Sequence, residues 1–316
     1  MNKYINNEIT KEEAVKLFSL KGSKLMELFT VSNKIREKYC GNEIHHCTIT
    51  NAKSGKCSED CKFCAQSARY NTNLKTYEFK DEETLEVEYK RANELNSENF
   101  GIVTSGKSIK KGSKEFEKIK EFLLKNRDKT KPCASIGLLD YEEFVELKEA
   151  GLTRYHNNIQ TSIDKYGEIV ATTHSVEDRI KSIKAAKKAG LKVCSGGIIG
   201  MGESYEDRVN MAFTLKELEV DSIPLNILNP IKGTPMGDRE ILSVDEILKT
   251  VAIFRIILKD KTIKIAAGRE TILKDFMGLA FMSGANGLLV GGYLTLKGRS
   301  VEEDENFIKN LKKMWS

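Results

Sequence analysis

Short runs of apolar and β-branched residues alternate along this chain with longer stretches whose apolar positions recur at helical spacing. Eight short runs follow one another, beginning near Ile44 (IHHCTITNA), Phe100 (FGIVTSG), Lys131 (KPCASIG), Thr153 (TRYHNNIQ), Lys192 (KVCSGGIIG), Ser222 (SIPLNILN), Lys261 (KTIKIAAG) and Ala285 (ANGLLVGG). Each is bounded by Gly, Pro, Asn or a charged cluster, and each has the length of a strand. Between them, Val176, Ile180 and Ile183 fall on one helical face. Ser175 with Asp178, Ser204 with Asp207, Ser243 with Glu246 and Thr10 with Glu13 have the spacing that opens a helix with reciprocal capping.

Parallel strands need crossovers of a dozen or more residues, so this alternation predicts parallel strands joined by helices. The expected fold is α/β, a (β/α)8 TIM-type barrel, complete or nearly so, with N- and C-terminal helical extensions. One domain spans 1–316, with an N-terminal helical extension at 1–42, the barrel at 43–292 and a C-terminal extension at 293–316. A doubly wound open sheet is the alternative, because the helix after Cys64 is hard to delimit and closure does not show in sequence. EAGLTRY and KAGLKVC repeat one helix-end, Gly, strand-start pattern. Four prolines and no low-complexity stretch leave little room for a linker.

The net charge of +5 is dispersed as Lys and Glu over amphipathic segments, which describes a solvated surface rather than a nucleic-acid face. No window approaches the roughly 20 apolar residues of a membrane helix. The N-terminus lacks the apolar block and cleavage site of an export signal, so the cytoplasm is the expected location. Seven cysteines, with Cys57, Cys61 and Cys64 clustered, fit metal or redox chemistry better than a disulfide framework.

In SGKCSEDCKFCAQSARY those three cysteines are spaced C-x3-C-x2-C. Three thiolates on one short loop can hold an iron–sulfur cluster and leave one iron open for an exchangeable ligand. Structural zinc asks for four protein ligands, and no matching cysteine pair or nearby His follows. The segment is rich in Lys, Glu, Asp and Ser, which argues against buried packing.

C-x3-C-x2-C after the first strand of a βα barrel resembles the radical S-adenosylmethionine superfamily. That resemblance implies a 4Fe-4S cluster whose open iron binds the methionine part of S-adenosyl-L-methionine. One electron then cleaves a carbon–sulfur bond and releases a 5'-deoxyadenosyl radical, at the C-terminal mouth of the barrel. A wider match, from about Lys34 to Ala285, is similar to the biotin synthase family. It is carried by NAKSGKCSEDCKFCAQS, YHNNIQTS, VCSGGIIGMGE, IPLNILNPIKGTPM and AAGRE. The resemblance implies dethiobiotin as substrate and biotin as product, with sulfur donated by an auxiliary cluster deep in the barrel.

In that family the auxiliary cluster is held by three strand cysteines and an arginine. Cys133, Cys194 and Arg269 fall on three of those positions, whereas the fourth is Gly101, preceded by Asn99 where an arginine is usual. Cys47 on the first strand is expected to supply the missing thiolate, in a register that sends His46 and Thr48 outward. A moved ligand leaves a 2Fe-2S or a larger four-iron cluster open, and a core cysteine remains the plain alternative for each position. Gly196, Gly197 and Gly200 are expected to let the backbone approach the adenosyl group. Gln160 stands where the family grips the cofactor ribose with aspartate, and Asn158 and Asn226 match positions that bond the ureido ring. Lys53 and Lys232 are undecided, Cys40 reads as structural, and the four histidines show no catalytic pattern, although His156 lies in a cavity-lining motif. A flavodoxin or ferredoxin type electron donor and a homodimer are implied by resemblance alone. The alternatives are a related maturase or mutase without sulfur transfer, and a non-catalytic iron–sulfur carrier.

Overall fold

A computed structural model describes residues 1–126, 130–291 and 298–316. Its strands are β1 (His45–Lys53), β2 (Asn99–Thr104), β3 (Lys131–Ser135), β4 (Arg154–His156), β5 (Lys192–Cys194), β6 (Gly197–Ile199), β7 (Ser222–Ile227), β8 (Thr262–Ile265) and β9 (Gly287–Leu289). Every pairing is parallel. β5 and β6 are two pieces of one stave, because Cys194 meets Ser222 and Gly197 meets Leu225 on the same neighbour, β7. β9 pairs with β1 and β5 with both β4 and β7, so the sheet closes on itself as an eight-stave barrel. Closure excludes the doubly wound sheet.

Ahead of the barrel lie α1 (Lys11–Leu17) and α2 (Gly22–Cys40). The crossovers carry α3 (Glu82–Glu94), α4 (Lys114–Asn126), α5 (Tyr141–Ala150), α6 (Ile163–Ile169), α7 (Val176–Lys188), α8 (Tyr205–Glu217), α9 (Val244–Leu258) and α10 (Met277–Met282). α11 (Val301–Trp315) ends the chain. The core lies between staves and helices: Phe100 of β2 meets Tyr89 of α3 edge-on, with ring centres 5.4 Å apart, and Phe122 of α4 closes the cluster. No helix among the described residues is long and apolar enough to cross a membrane.

Thr10, Ser175 and Ser204 form the reciprocal caps expected of them. Ser243 starts α9 without a side-chain cap: its hydroxyl donates to Asp245, and Glu246 is drawn to Arg208 at 2.7 Å. The first crossover holds no helix until α3, because residues 54–81 form a long loop. α11 packs Phe307 and Trp315 on Phe281 of α10 and shares a surface hollow with Leu95 and His46. The terminal helix thus lies against the barrel wall; the expected boundary at 292–293 falls outside the described residues.

Candidate active site

Side chains along a strand alternate, and an inner layer of a barrel takes its members from alternate staves. Cys47 of β1, Cys133 of β3, Cys194 of β5 and Lys264 of β8 stand on the first, third, fifth and seventh staves. All four border one cavity of about 370 Å³. Lys264 Nζ donates to Cys47 Sγ at 2.8 Å, and Asn99 Nδ2 approaches the same sulfur at 3.5 Å. His46 turns to the outer hollow, whereas Thr48 also borders the cavity. Gly101, level with Cys133 across the ladder, contributes no side chain.

Burial pushes the Cys133 thiol up to about 12, with Cys194 and Cys47 adding to the effect. Burial acts on Cys194 in the same direction but is outweighed by a hydrogen bond from His156 and by the charges of His156, Lys264 and Arg154, bringing it down to about 6. For Lys264, burial favours the neutral amine, yet the charges of Cys47 and Cys194 outweigh it and hold the ammonium above its usual range. Arg154 of β4 borders the cavity with its Nε buried and without a hydrogen-bond partner. Three cysteines and two cationic side chains therefore border one cavity.

Arg269 does not join this group, which corrects the expectation drawn from AAGRE. Gly268 takes a left-handed φ of +84°, where a Cβ would stand 2.4 Å from the Ile227 carbonyl, and the π-helical turn Arg269–Leu273 follows. The turn carries the Arg269 side chain to α11, where NH2 meets Asp304 at 2.7 Å and also reaches Glu270 and the Leu289 carbonyl. Arg269 and Asp304 are both 0% exposed. The buried cation among the thiols is Lys264, whose signal was a charge at an inward position of KTIKIAA.

Cys57, Cys61 and Cys64, all partly buried, line a hollow of about 190 Å³ at the barrel mouth. It shares Cys64, Gln66, His156, Asn158 and Gln160 with the deeper cavity, so the two adjoin. The loop is tied down from the segment before α7: Asp60 accepts from both Thr172 and Thr173, and Glu59 Oε2 lies 2.9 Å from His174 Nδ1. Burial pushes the Cys61 thiol up to about 12 against the opposing charge of Arg179, while Cys64 and Cys57 add to the rise. Burial raises Cys64 as well. Sequence reading missed His174 and Arg179, whose partners lie more than a hundred residues away for the former.

Gln160 sits between the two hollows in a left-handed conformation, φ +70°, and its Oε1 is buried without a partner. Asn158 Oδ1 accepts from Gly196 N at 2.9 Å, and Asn226 bridges the Gly197 carbonyl and Ala267 N while both asparagines border the cavity. The glycines are also needed for packing. A Cβ on Gly196 would stand 2.1 Å from the Pro224 carbonyl, and one on Gly197 2.4 Å from that of Gln160. Close packing of neighbouring staves requires both, while Gly200, φ +95°, serves a turn beside Leu242. Lys53 pairs with Glu115, and Cys40 bonds Arg255 at 3.2 Å, far from the cavity.

These donors suit the groups that the motif calls for. Three thiols per hollow match iron–sulfur ligation, deprotonation being completed by the metal itself. Buried cations offset an anionic cluster, and the orphaned Gln160 Oε1 is an acceptor for a hydroxyl such as a ribose carries. No three His, Cys, Asp or Glu side chains among the described residues gather around a single-ion point.

The profile of the Radical SAM superfamily matches residues 52–215, and that of the Biotin and Thiamin Synthesis associated domain matches 224–312. Biotin synthase of Pelotomaculum thermopropionicum is 46% identical over 308 residues, 96% of this chain and 95% of that protein. Biotin synthase of Clostridium tetani is 46% identical over 311 residues, covering 98% and 94%. Among solved structures, methylornithine synthase aligns at TM-score 0.85 with 18% identity over 98% of this chain and 95% of its own. The FeFe-hydrogenase maturase HydG of Carboxydothermus hydrogenoformans aligns at 0.81 with 17% identity over 98% and 76%. At those identities the two structures speak for the fold alone.

Proposed function

This chain belongs to the biotin synthase family of radical S-adenosylmethionine enzymes, and from that premise we propose how its barrel divides the work. The activity is sulfur insertion into dethiobiotin to give biotin, with S-adenosylmethionine and iron–sulfur clusters as cofactors. When bound, those groups supply the hydrogen-abstracting radical and the inserted sulfur. Everything else falls to the protein's own side chains.

Cys57, Cys61 and Cys64 hold the radical 4Fe-4S cluster at the mouth. Cys47, Cys133 and Cys194 hold the auxiliary cluster below it, with Lys264 in place of Arg269 as the buried cation of that layer. Gln160 accepts a ribose hydroxyl, and Asn158 and Asn226 face the ureido ring, whose neutral donors and acceptors suit carboxamides. The walls between exclude water from the radical. The observation that carries the reading is that the hollow of the cysteine loop adjoins, through shared lining residues, a deeper cavity bordered by three further thiols. Seven free cysteines suit the reducing cytoplasm. A flavodoxin or ferredoxin type donor and a homodimer complete the proposal on family grounds.

The test is a single turnover of protein whose clusters were rebuilt with 34S-sulfide. Biotin heavier by the isotope, together with deoxyadenosine, supports the reading. Unlabelled biotin removes the inner cluster as sulfur source, and absence of deoxyadenosine leaves an iron–sulfur carrier.

A further inference from the structure

Arg154 opens β4, the stave that lies between those of Cys133 and Cys194, and its Cα is level with Cys133 on one side and Lys192 on the other. Alternation along the strand sends Tyr155 outward, where its ring meets Phe144 of α5 with centres 4.6 Å apart. Arg154 and His156 turn to the cavity. His156 is engaged with Cys194 through the hydrogen bond that lowers that thiol, and Lys264 is engaged with Cys47. The buried Nε of Arg154, by contrast, has no hydrogen-bond partner among the described residues. Arginine carries five N–H donors and does not give up its proton in a protein, so burial cannot neutralise it as it can a lysine. Burial works against the charge, and the cysteines facing it, Cys194 first, hold the guanidinium above its ordinary range. Asp221 adds less than any of them and is committed elsewhere, accepting from Val193 N at 2.7 Å. On the other side of Cys133, Gly101 contributes no side chain. A permanent positive charge and a spare donor therefore stand beside Cys133 and Cys194.

We propose that Arg154 is a binding residue of the inner cluster, giving hydrogen bonds and fixed positive charge to its sulfur atoms on the side between Cys133 and Cys194. The proposal rests on the reading that Cys47, Cys133 and Cys194 hold that cluster. Hydrogen bonds to the sulfurs and nearby positive charge favour the reduced, more negative cluster, so removing them lowers the reduction potential. An unpaired cation in a cavity is unfavourable for the empty barrel and is offset once an anionic group arrives. An arginine placed for the fold alone would have the opposite effect, supporting the empty barrel as much as the loaded one.

The experiment compares the full-length parent with Arg154→Met and Arg154→Lys, before and after anaerobic reconstitution with iron and sulfide. Before reconstitution Arg154→Met should melt at or above the parent, because it removes a charge that has no partner. After reconstitution it should melt below the parent, having bound its clusters less well. Iron and sulfide counts with Mössbauer spectra should show the radical cluster kept and the inner-cluster iron reduced roughly twofold or more. The inner cluster that remains should take up its electron at a more negative potential in a reductive titration. Arg154→Lys keeps the charge and loses the planar fork, so its inner-cluster iron should fall between those of Arg154→Met and the parent. Parent inner-cluster iron and a parent potential in Arg154→Met would overturn the proposal. So would an Arg154→Met chain that already melts below the parent before reconstitution, the mark of an arginine that serves the fold. A parent that takes up the radical cluster alone would overturn the inner-site reading itself, whereas a two-cluster parent matched by an unchanged Arg154→Met would overturn the role of Arg154 only.

Discussion

Lys264 Nζ and Cys47 Sγ, 2.8 Å apart, join the seventh and first staves of the barrel within its inner layer. A fully buried ammonium persists only where negative charge faces it. Cys194, brought down to about 6, provides that charge, and a cluster held by the three cysteines would add to it.

Lys264→Met should therefore fold and still load the radical cluster, but lose most inner-cluster iron after reconstitution. Arg269→Gln should keep that iron, since Arg269 faces α11. Iron and sulfide counts on the two variants check the difference.

Asp304 holds α11 to the barrel through a wholly buried ion pair with Arg269. Removing one partner of such a pair costs about 3–5 kcal/mol, because the other charge is left buried. Glu270 still faces Arg269 in Asp304→Ala, so the loss in denaturant unfolding should fall below that range.

Gln160→Ala should weaken S-adenosylmethionine binding by about 0.5–1.5 kcal/mol, roughly two- to tenfold, the value of one hydrogen bond. Equilibrium dialysis of cofactor with the reconstituted protein measures it. Unchanged binding would take Gln160 out of the ribose contact.

The order of staves and three of the four caps marked from sequence were legible there because both depend on residues within a few positions of one another. Ser243 shows the limit of that locality. Its partner Glu246 is claimed by Arg208, thirty-eight residues upstream. Ser175→Ala should accordingly cost about 1 kcal/mol in thermal unfolding, and Ser243→Ala distinctly less.

Arg269 was misread for a related reason. Its direction is set by the left-handed φ of Gly268, which the letters AAGRE do not display, and by Asp304, which lies far outside that motif. Lys264 could have been found, since period-two alternation in KTIKIAA places it inward with Ala266 while Ile263 and Ile265 face the helices. His174 and Arg179 had no local signal, because Glu59 stands 115 residues from His174. The packing that Gly196 and Gly197 serve against neighbouring backbone was likewise not visible in GGIIGMGE.

The most direct test of the three-thiol inner site is anaerobic Mössbauer spectroscopy, with iron and sulfide counts, on the parent and on Cys47→Ala. The parent is expected to show two clusters, its iron total distinguishing a two-iron from a four-iron inner form. The variant should lose the inner-cluster iron and still cleave S-adenosylmethionine. An inner-cluster spectrum and iron count unchanged by the substitution would contradict the account.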